Sequence, residues 1–251
     1  MSTSSSQDYS HGYYTEYSRS SHLSPCAACK VRDKFVCSVL EGDELEQLNS
    51  IMTEVTYRAG DPIFSEGENA EYIFNVTSGT LKLYKLLPDG RSQITGFISV
   101  GDFLGLADSQ FYSSSAEAIT DVQICRFRRV DLEKLLSDYP KMGNKLLKIA
   151  RSELAVIQDQ LLLLGRKTAD ERLASFLSTM SRRNEIIGES PDMVQLIMNQ
   201  NEIGEYLGMT PETVSRTMRR FRDKGIIAKI KHTRNISIID QAALKSLECS
   251  Y

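Results

Sequence analysis

The sequence predicts an α+β chain built from an antiparallel β-roll, one long helix and a winged helix-turn-helix. Three observations predict it. Between Val55 and Phe127, short runs rich in Val, Ile, Phe and Tyr are broken by Gly60, Gly67, Gly79, Gly90, Gly101 and Gly105. From Leu147 to Leu164 apolar residues step by three and four, and further on Thr210-Pro211 follows Gly208-Met209 between two short amphipathic stretches. Strand-like runs with frequent turn signals read as a roll or barrel, and a sustained step of three and four reads as a helix. The expected organisation is a disordered tail over residues 1–24 and a sensor roll with an amino-terminal cysteine motif over 25–132. A pairing helix over 133–165 and a DNA-binding domain over 166–251 complete it.

Each element has its own justification. Residues 1–24 hold nine serines and four tyrosines with almost no aliphatic side chains, too little to offset the entropy of ordering. Tyr72–Val76, Thr80–Leu86 and Gln93–Ser99 are the clearest strands. The last two are joined by Pro88-Asp89-Gly90, whose residue types favour a tight turn. Leu147, Ala150, Leu154, Ile157, Leu161 and Leu164 form a continuous a/d seam, and the nearby acids Glu153 and Asp159 fall off it. A one-sided seam of that length predicts pairing with a second copy of the chain. Gly165 is the expected stop, and Thr168 with Glu171 three residues later predicts a capping box opening a helix over Thr168–Arg182.

Gln200–Leu207 reads as a short helix, Gly208-Met209 as its turn, and Thr210 as the cap of a second helix whose first position suits Pro211. Val214, Met218 and Phe221 share one face of that helix. Glu212, Ser215, Arg216 and Arg219 share the other, near its amino-terminal end, where a recognition helix meets base edges. The Arg216 fork matches guanine O6 and N7, Glu212 accepts from cytosine N4, and Ser215 serves several base edges. Arg219, Arg220 and Arg222 are expected on phosphates, as are Lys231 and Arg234 in a wing between strands Ile226–Ile230 and Ile236–Ile239. Charge agrees with this: the chain carries a net −3, yet Val214–Arg234 holds eight basic residues against one acid, a local +7. A basic block inside an acidic protein marks a phosphate-facing surface.

Five cysteines remain. Cys26, Cys29 and Cys37 form C-x2-C-x7-C, Cys125 sits alone in a strand and Cys249 near the carboxy terminus reads as a bystander. No apolar stretch follows the amino terminus and Leu161–Leu164 is far too short to cross a bilayer, so the expected location is cytoplasmic, without membrane association. Clustered thiols there point to metal or redox chemistry. Four thiolates fit a tetrahedral zinc or an iron–sulfur cluster, and a thiol switch without metal is the third option. For Cys125 by itself a small buried hydrophobe is the plain reading. An electron-transfer or catalytic module is disfavoured: there is no glycine-rich phosphate loop and no nucleophile with a positioned base, and His11, His22 and His232 are scattered.

Together the motifs Gly60-Asp61, Gly79-Thr80, Gln93-Ile94-Thr95-Gly96-Phe97, Gly101-Asp102 and Glu212-Thr213-Val214-Ser215-Arg216 resemble the CRP/FNR superfamily over residues 24–247, in particular its oxygen-sensing FNR branch. The resemblance implies a homodimer that reads inverted repeats such as TTGAT-N4-ATCAA, a roll of the cyclic-nucleotide-binding type, and RNA polymerase contacts at turns such as Pro88–Arg91. It also implies that Cys26, Cys29, Cys37 and Cys125 hold an oxygen-labile 4Fe-4S cluster whose loss weakens DNA binding. One departure is the seven-residue gap before Cys37, where a well-known subset has five. The cyclic-nucleotide branch uses an arginine for the phosphate, whereas Ser113-Ser114-Ser115-Ala116 stands here, so a cyclic nucleotide is not an expected ligand.

Overall fold

The computed structural model describes residues 24–106, 110–186 and 189–248. The expected tail, Ser24 apart, and Cys249 lie outside these. Two short 3-10 turns at Arg32–Lys34 and Val36–Val39 lead into α1 (Asp43–Ile51). Eight strands follow: β1 (Met52–Tyr57), β2 (Pro62–Phe64), β3 (Tyr72–Ser78), β4 (Leu81–Leu86), β5 (Ser92–Ile98), β6 (Phe103–Leu104), β7 (Ser115–Ala118) and β8 (Val122–Arg128). They form two four-stranded sheets ordered β1-β8-β3-β6 and β2-β7-β4-β5, with antiparallel pairing between β1 and β8, β3 and β8, β3 and β6, and β2 and β7. The expected roll is present, its three clearest strands displaced by no more than two residues at either end.

Alternation sorts the first sheet into two faces, because successive side chains of a strand point to opposite sides. Val55, Tyr57, Phe74, Val76, Val122 and Ile124 belong to the roll's interior core. That core includes the stacked rings of Phe64 and Tyr112, 3.9 Å between centroids. On the opposite face Ile73 and Phe127 are also buried. There α2 (Arg129–Asp138) packs on β8 and β3, and α1 packs on α2. Arg129 fixes the start of α2, its Nε donating to Ala70 O at 2.7 Å and its Nη2 to Gly105 O at 2.6 Å.

α3 (Pro140–Arg166) is the long helix. It runs one residue past Gly165, which is tolerated in a last helical turn, so the break falls at Lys167 and Thr168 rather than at the glycine. α4 (Ala169–Ile186) opens with the expected capping box: Thr168 N donates to Glu171 Oε2 at 2.7 Å and Glu171 N to Thr168 Oγ1 at 3.4 Å. Beyond lie β9 (Met193–Val194), α5 (Gln200–Leu207), α6 (Pro211–Asp223), β10 (Ile227–Lys229), β11 (Ile236–Ile238) and α7 (Gln241–Glu248). The wing has three strands rather than two, ordered β10-β11-β9. By contacts the chain divides into one compact unit of residues 1–83 with 97–146 and another of 84–96 with 147–251.

Candidate nucleic-acid interface and cysteine layer

The helix-turn-helix is assembled from local signals. Asn199 caps α5 in a capping box with Glu202: Glu202 N donates to Asn199 Oδ1 at 3.0 Å and Asn199 N to Glu202 Oε2 at 2.9 Å. Gly208 ends the helix in the left-handed region at φ 61°, where a side chain would strain. The chain then turns back over Gly204, whose missing side chain is required: a Cβ there would lie 2.5 Å from Met209 O. Thr210 caps α6, accepting from Thr213 N at 3.3 Å, and Pro211 takes the first helical position.

α6 divides as the sequence predicts. Val214, Met218 and Phe221 are buried, joined by Thr217, and Glu212, Ser215, Arg216 and Arg219 are exposed. Arg216 Nη2 donates to Thr213 Oγ1 at 3.3 Å. The Glu212 carboxyl is held below the usual carboxylate range by its own backbone N–H, the Thr210 hydroxyl and the nearby Arg216 charge. It therefore stays an acceptor at neutral pH. Arg219 makes a loose pair with Asp223 at 3.9 Å, and Arg222, Lys231 and Arg234 are exposed. Arg220 is exposed as well, and its guanidinium pairs with Asp170 of α4 and donates to the buried Thr217 Oγ1 at 3.1 Å. Its place on α6 brings it beside α4, a contact that sequence spacing does not reveal.

A second arginine was invisible to motif reasoning. Arg172 donates through Nε to Lys167 O at 2.9 Å, through Nη2 to Leu164 O at 2.9 Å, and through Nη1 to Leu207 O at 2.9 Å and Gly208 O at 3.1 Å. One guanidinium thus ties the carboxy-terminal carbonyls of α3 to those of α5. Arg's planar fork of donors suits that task. Upstream, the seam on α3 is open: Leu147, Ala150, Leu154, Ile157 and Leu161 are exposed, Leu161 at 68%, while Leu164 is half-buried.

In the other unit the four described cysteines are free thiols. Cys26 and Cys37 are buried, and Cys29 and Cys125 are half-buried. Burial pushes the Cys26 thiol up to about 12 and the Cys37 thiol up to about 11, with the neighbouring thiols adding to both. Cys125 is raised as well, by burial and then by Cys26, Cys29, Glu54 and Cys37. The other three thiols thus contribute to the environment of the Cys125 thiol. In the ladder Cys125 faces Glu54 of β1 and Asn75 of β3, which puts these three on the face turned from the roll's core. The backbone N–H of Cys26 donates to Asn49 Oδ1 of α1 at 3.4 Å, tying the cysteine segment to the layer on that face. Among the described residues no three His, Cys, Asp or Glu side chains converge tightly enough to hold a single metal ion as they stand.

Comparison with known proteins places these features. Residues 54–139 match the cyclic nucleotide-binding domain and residues 171–247 the Crp-like helix-turn-helix domain. The chain is 37% identical over 222 residues to the nitrogen fixation regulation protein FixK of Bradyrhizobium diazoefficiens, spanning 88% of this chain and 93% of that one. The chain belongs to the CRP/FNR family of transcription regulators. Another CRP/FNR relative is the fumarate and nitrate reduction regulatory protein of Escherichia coli, 33% identical over 206 residues, 81% of this chain and 82% of that one. The solved structure of FixK2 from Bradyrhizobium japonicum matches with a TM-score of 0.74 at 38% identity, covering 80% of this chain and 99% of that chain. As a CRP/FNR member the protein is a DNA-binding regulator and not an enzyme. Among the described residues no helix is long and apolar enough to cross a membrane.

Proposed function

We propose that the protein is a cytoplasmic, oxygen-responsive regulator that binds inverted repeats of the TTGAT-N4-ATCAA type as a homodimer and carries a 4Fe-4S cluster on Cys26, Cys29, Cys37 and Cys125. The observation that carries the sensing half is the placement of Cys125 on the face of β8 turned from the roll's core, with Cys26 tied by Asn49 to the layer on that face. The chemistry of the donor set fits such a group: four cysteine sulfurs, all of them free thiols. When bound, the cluster supplies an oxygen-sensitive link between the amino-terminal segment and β8. The chain's own residues do the rest. Losing that link frees Cys26–Cys37 from the sheet and shifts the population away from the DNA-binding form.

The reading half rests on the exposed trio Glu212, Ser215 and Arg216 at the amino-terminal end of α6. Arg219, Arg220, Arg222, Lys231 and Arg234 would contact phosphates, and the open seam on α3 would pair two copies so that two recognition helices reach successive turns of DNA. The hairpin tip at Pro88–Arg91, beside exposed Leu86 and Leu87, is the surface offered to RNA polymerase. A cyclic nucleotide is not part of this reading: the stretch Ser113-Ser114-Ser115-Ala116 offers no arginine for its phosphate, and Ser115 already accepts from Glu66 N at 3.0 Å.

Air-free purification and footprinting test both halves. A brown protein that air bleaches, protecting an inverted repeat only while coloured, is the expected result. A colourless protein with one zinc per chain would leave the sensing reading without support. Arg216→Ala should cost about 1–3 kcal/mol at the specific site and relax choice at one base pair. An equal loss on every sequence would assign Arg216 to phosphate instead.

A further inference from the structure

Asn75 is only 3% exposed, and its Oδ1 is buried with no hydrogen-bond partner among the described residues. Its neighbours along β3, Phe74 and Val76, face the roll's core, so Asn75 faces the other way, with Ile73. In the antiparallel ladder it stands directly opposite Cys125. Directly opposed residues share a face with their Cβ atoms about 4.5–5.5 Å apart. One residue further along the same row, across β8, is Glu54. The strand cysteine is therefore flanked by a carboxylate on one side and a carboxamide on the other.

A buried carboxamide with an unpaired end costs about 1–3 kcal/mol, and an apolar side chain of the same shape would avoid that cost. Ile73, two residues away on the same face, is apolar and buried in just this way. The polar group at position 75 is thus unexplained by packing alone. A carboxamide carries a donor at one end and an acceptor at the other, and rotation about its last bond exchanges them. A metal-bound cysteine sulfur is deprotonated and only accepts. Glu54 opposes negative charge on that sulfur, and an N–H from the other side offsets it.

We propose that Asn75 is a positioning residue of the thiol site, its side-chain N–H donating to the sulfur of Cys125 when the four cysteines hold their iron–sulfur group. This rests on the cluster reading above and goes beyond it, by naming a non-ligand residue that sets how long the group lasts and how readily it is reduced. Hydrogen bonds to sulfur are among the determinants of cluster potential, and outer-shell partners typically change metal retention about 10- to 100-fold.

The test compares the wild-type chain with Asn75→Leu and Asn75→Thr, each reconstituted without air using ferric iron, sulfide and a thiol reductant. Three quantities are read: the midpoint potential, the half-time of bleaching in air, and the melting temperature of the metal-free protein. For Asn75→Leu we expect a lower potential and bleaching about tenfold faster, with a metal-free melting temperature equal to or above that of the wild type. Asn75→Thr, which retains a donor, should fall between the two. An Asn75→Leu protein with wild-type potential and bleaching time overturns the proposal. So does one whose metal-free form melts markedly lower, since that marks a purely structural role. A wild type that takes up no iron overturns the cluster reading and this role together, whereas iron uptake with no effect of Asn75→Leu overturns this role alone.

Discussion

The helix-turn-helix and the cysteine layer handle their polar groups in opposite ways. In the first, each helix start has its cap: Asn199 with Glu202, Thr210 with Thr213, and Thr168 with Glu171. Arg172 collects four carbonyls at the helix ends. In the second, the 3-10 turns at Arg32–Lys34 and Val36–Val39 and the start of α1 lack a side-chain cap, Asn75 Oδ1 is unpaired, and three of four thiols are pushed upward by burial. One region satisfies its polar groups locally; the other leaves a buried one unpaired among the described residues. The difference teaches where to look for stability and where for response, because a buried polar group left unpaired calls for an explanation that packing does not supply.

Substitutions can break or sharpen that contrast. The largest effect is expected for Gly204→Val, which drives a side chain into Met209 O and should cost about 3 kcal/mol of stability in calorimetric unfolding. Arg172→Ala removes a charged donor set from several carbonyls and should cost about 2 kcal/mol, with DNA affinity falling even where the reading trio is intact. Asn199→Ala deletes one cap and should cost about 1 kcal/mol. The smallest effect on stability belongs to the other region: Cys125→Ala should change the melting of the metal-free protein by less than about 1 kcal/mol while abolishing iron retention. A large loss of metal-free stability there would show the cysteine layer to be as self-sufficient as the helix-turn-helix.

How much was legible in the sequence follows the same division. Gly208, Thr210 and Pro211 state their backbone roles locally, so α5, the turn and the start of α6 were readable to the residue. So were the burial of Val214, Met218 and Phe221 and the existence of β3, β4 and β5, although β3 is buried on both faces rather than alternating. The capping box of Asn199 and Glu202 carries the same sort of local signal and was passed over. Other features depend on partners far away in the chain. Asp170 lies fifty residues from Arg220, and no spacing rule pairs them. β9 is two residues long and exists only because β11 lies beside it. Asn75 reads as an ordinary polar position in a strand until the ladder sets it against Cys125. Cys26, Cys29 and Cys37 point to metal or redox chemistry by their spacing, whereas the face that Cys125 occupies is set by its ladder partners on β1 and β3.

The open stripe on α3 has one more consequence. Leu147, Leu154, Ile157 and Leu161 are exposed in the single chain, and the proposed pairing would cover them. Under the proposed pairing, the amount of active regulator in the dilute regime rises with the square of the number of chains made, by mass action. Synthesis rate then becomes a second input beside oxygen, and a modest change in transcription of its own gene is amplified before any promoter is touched.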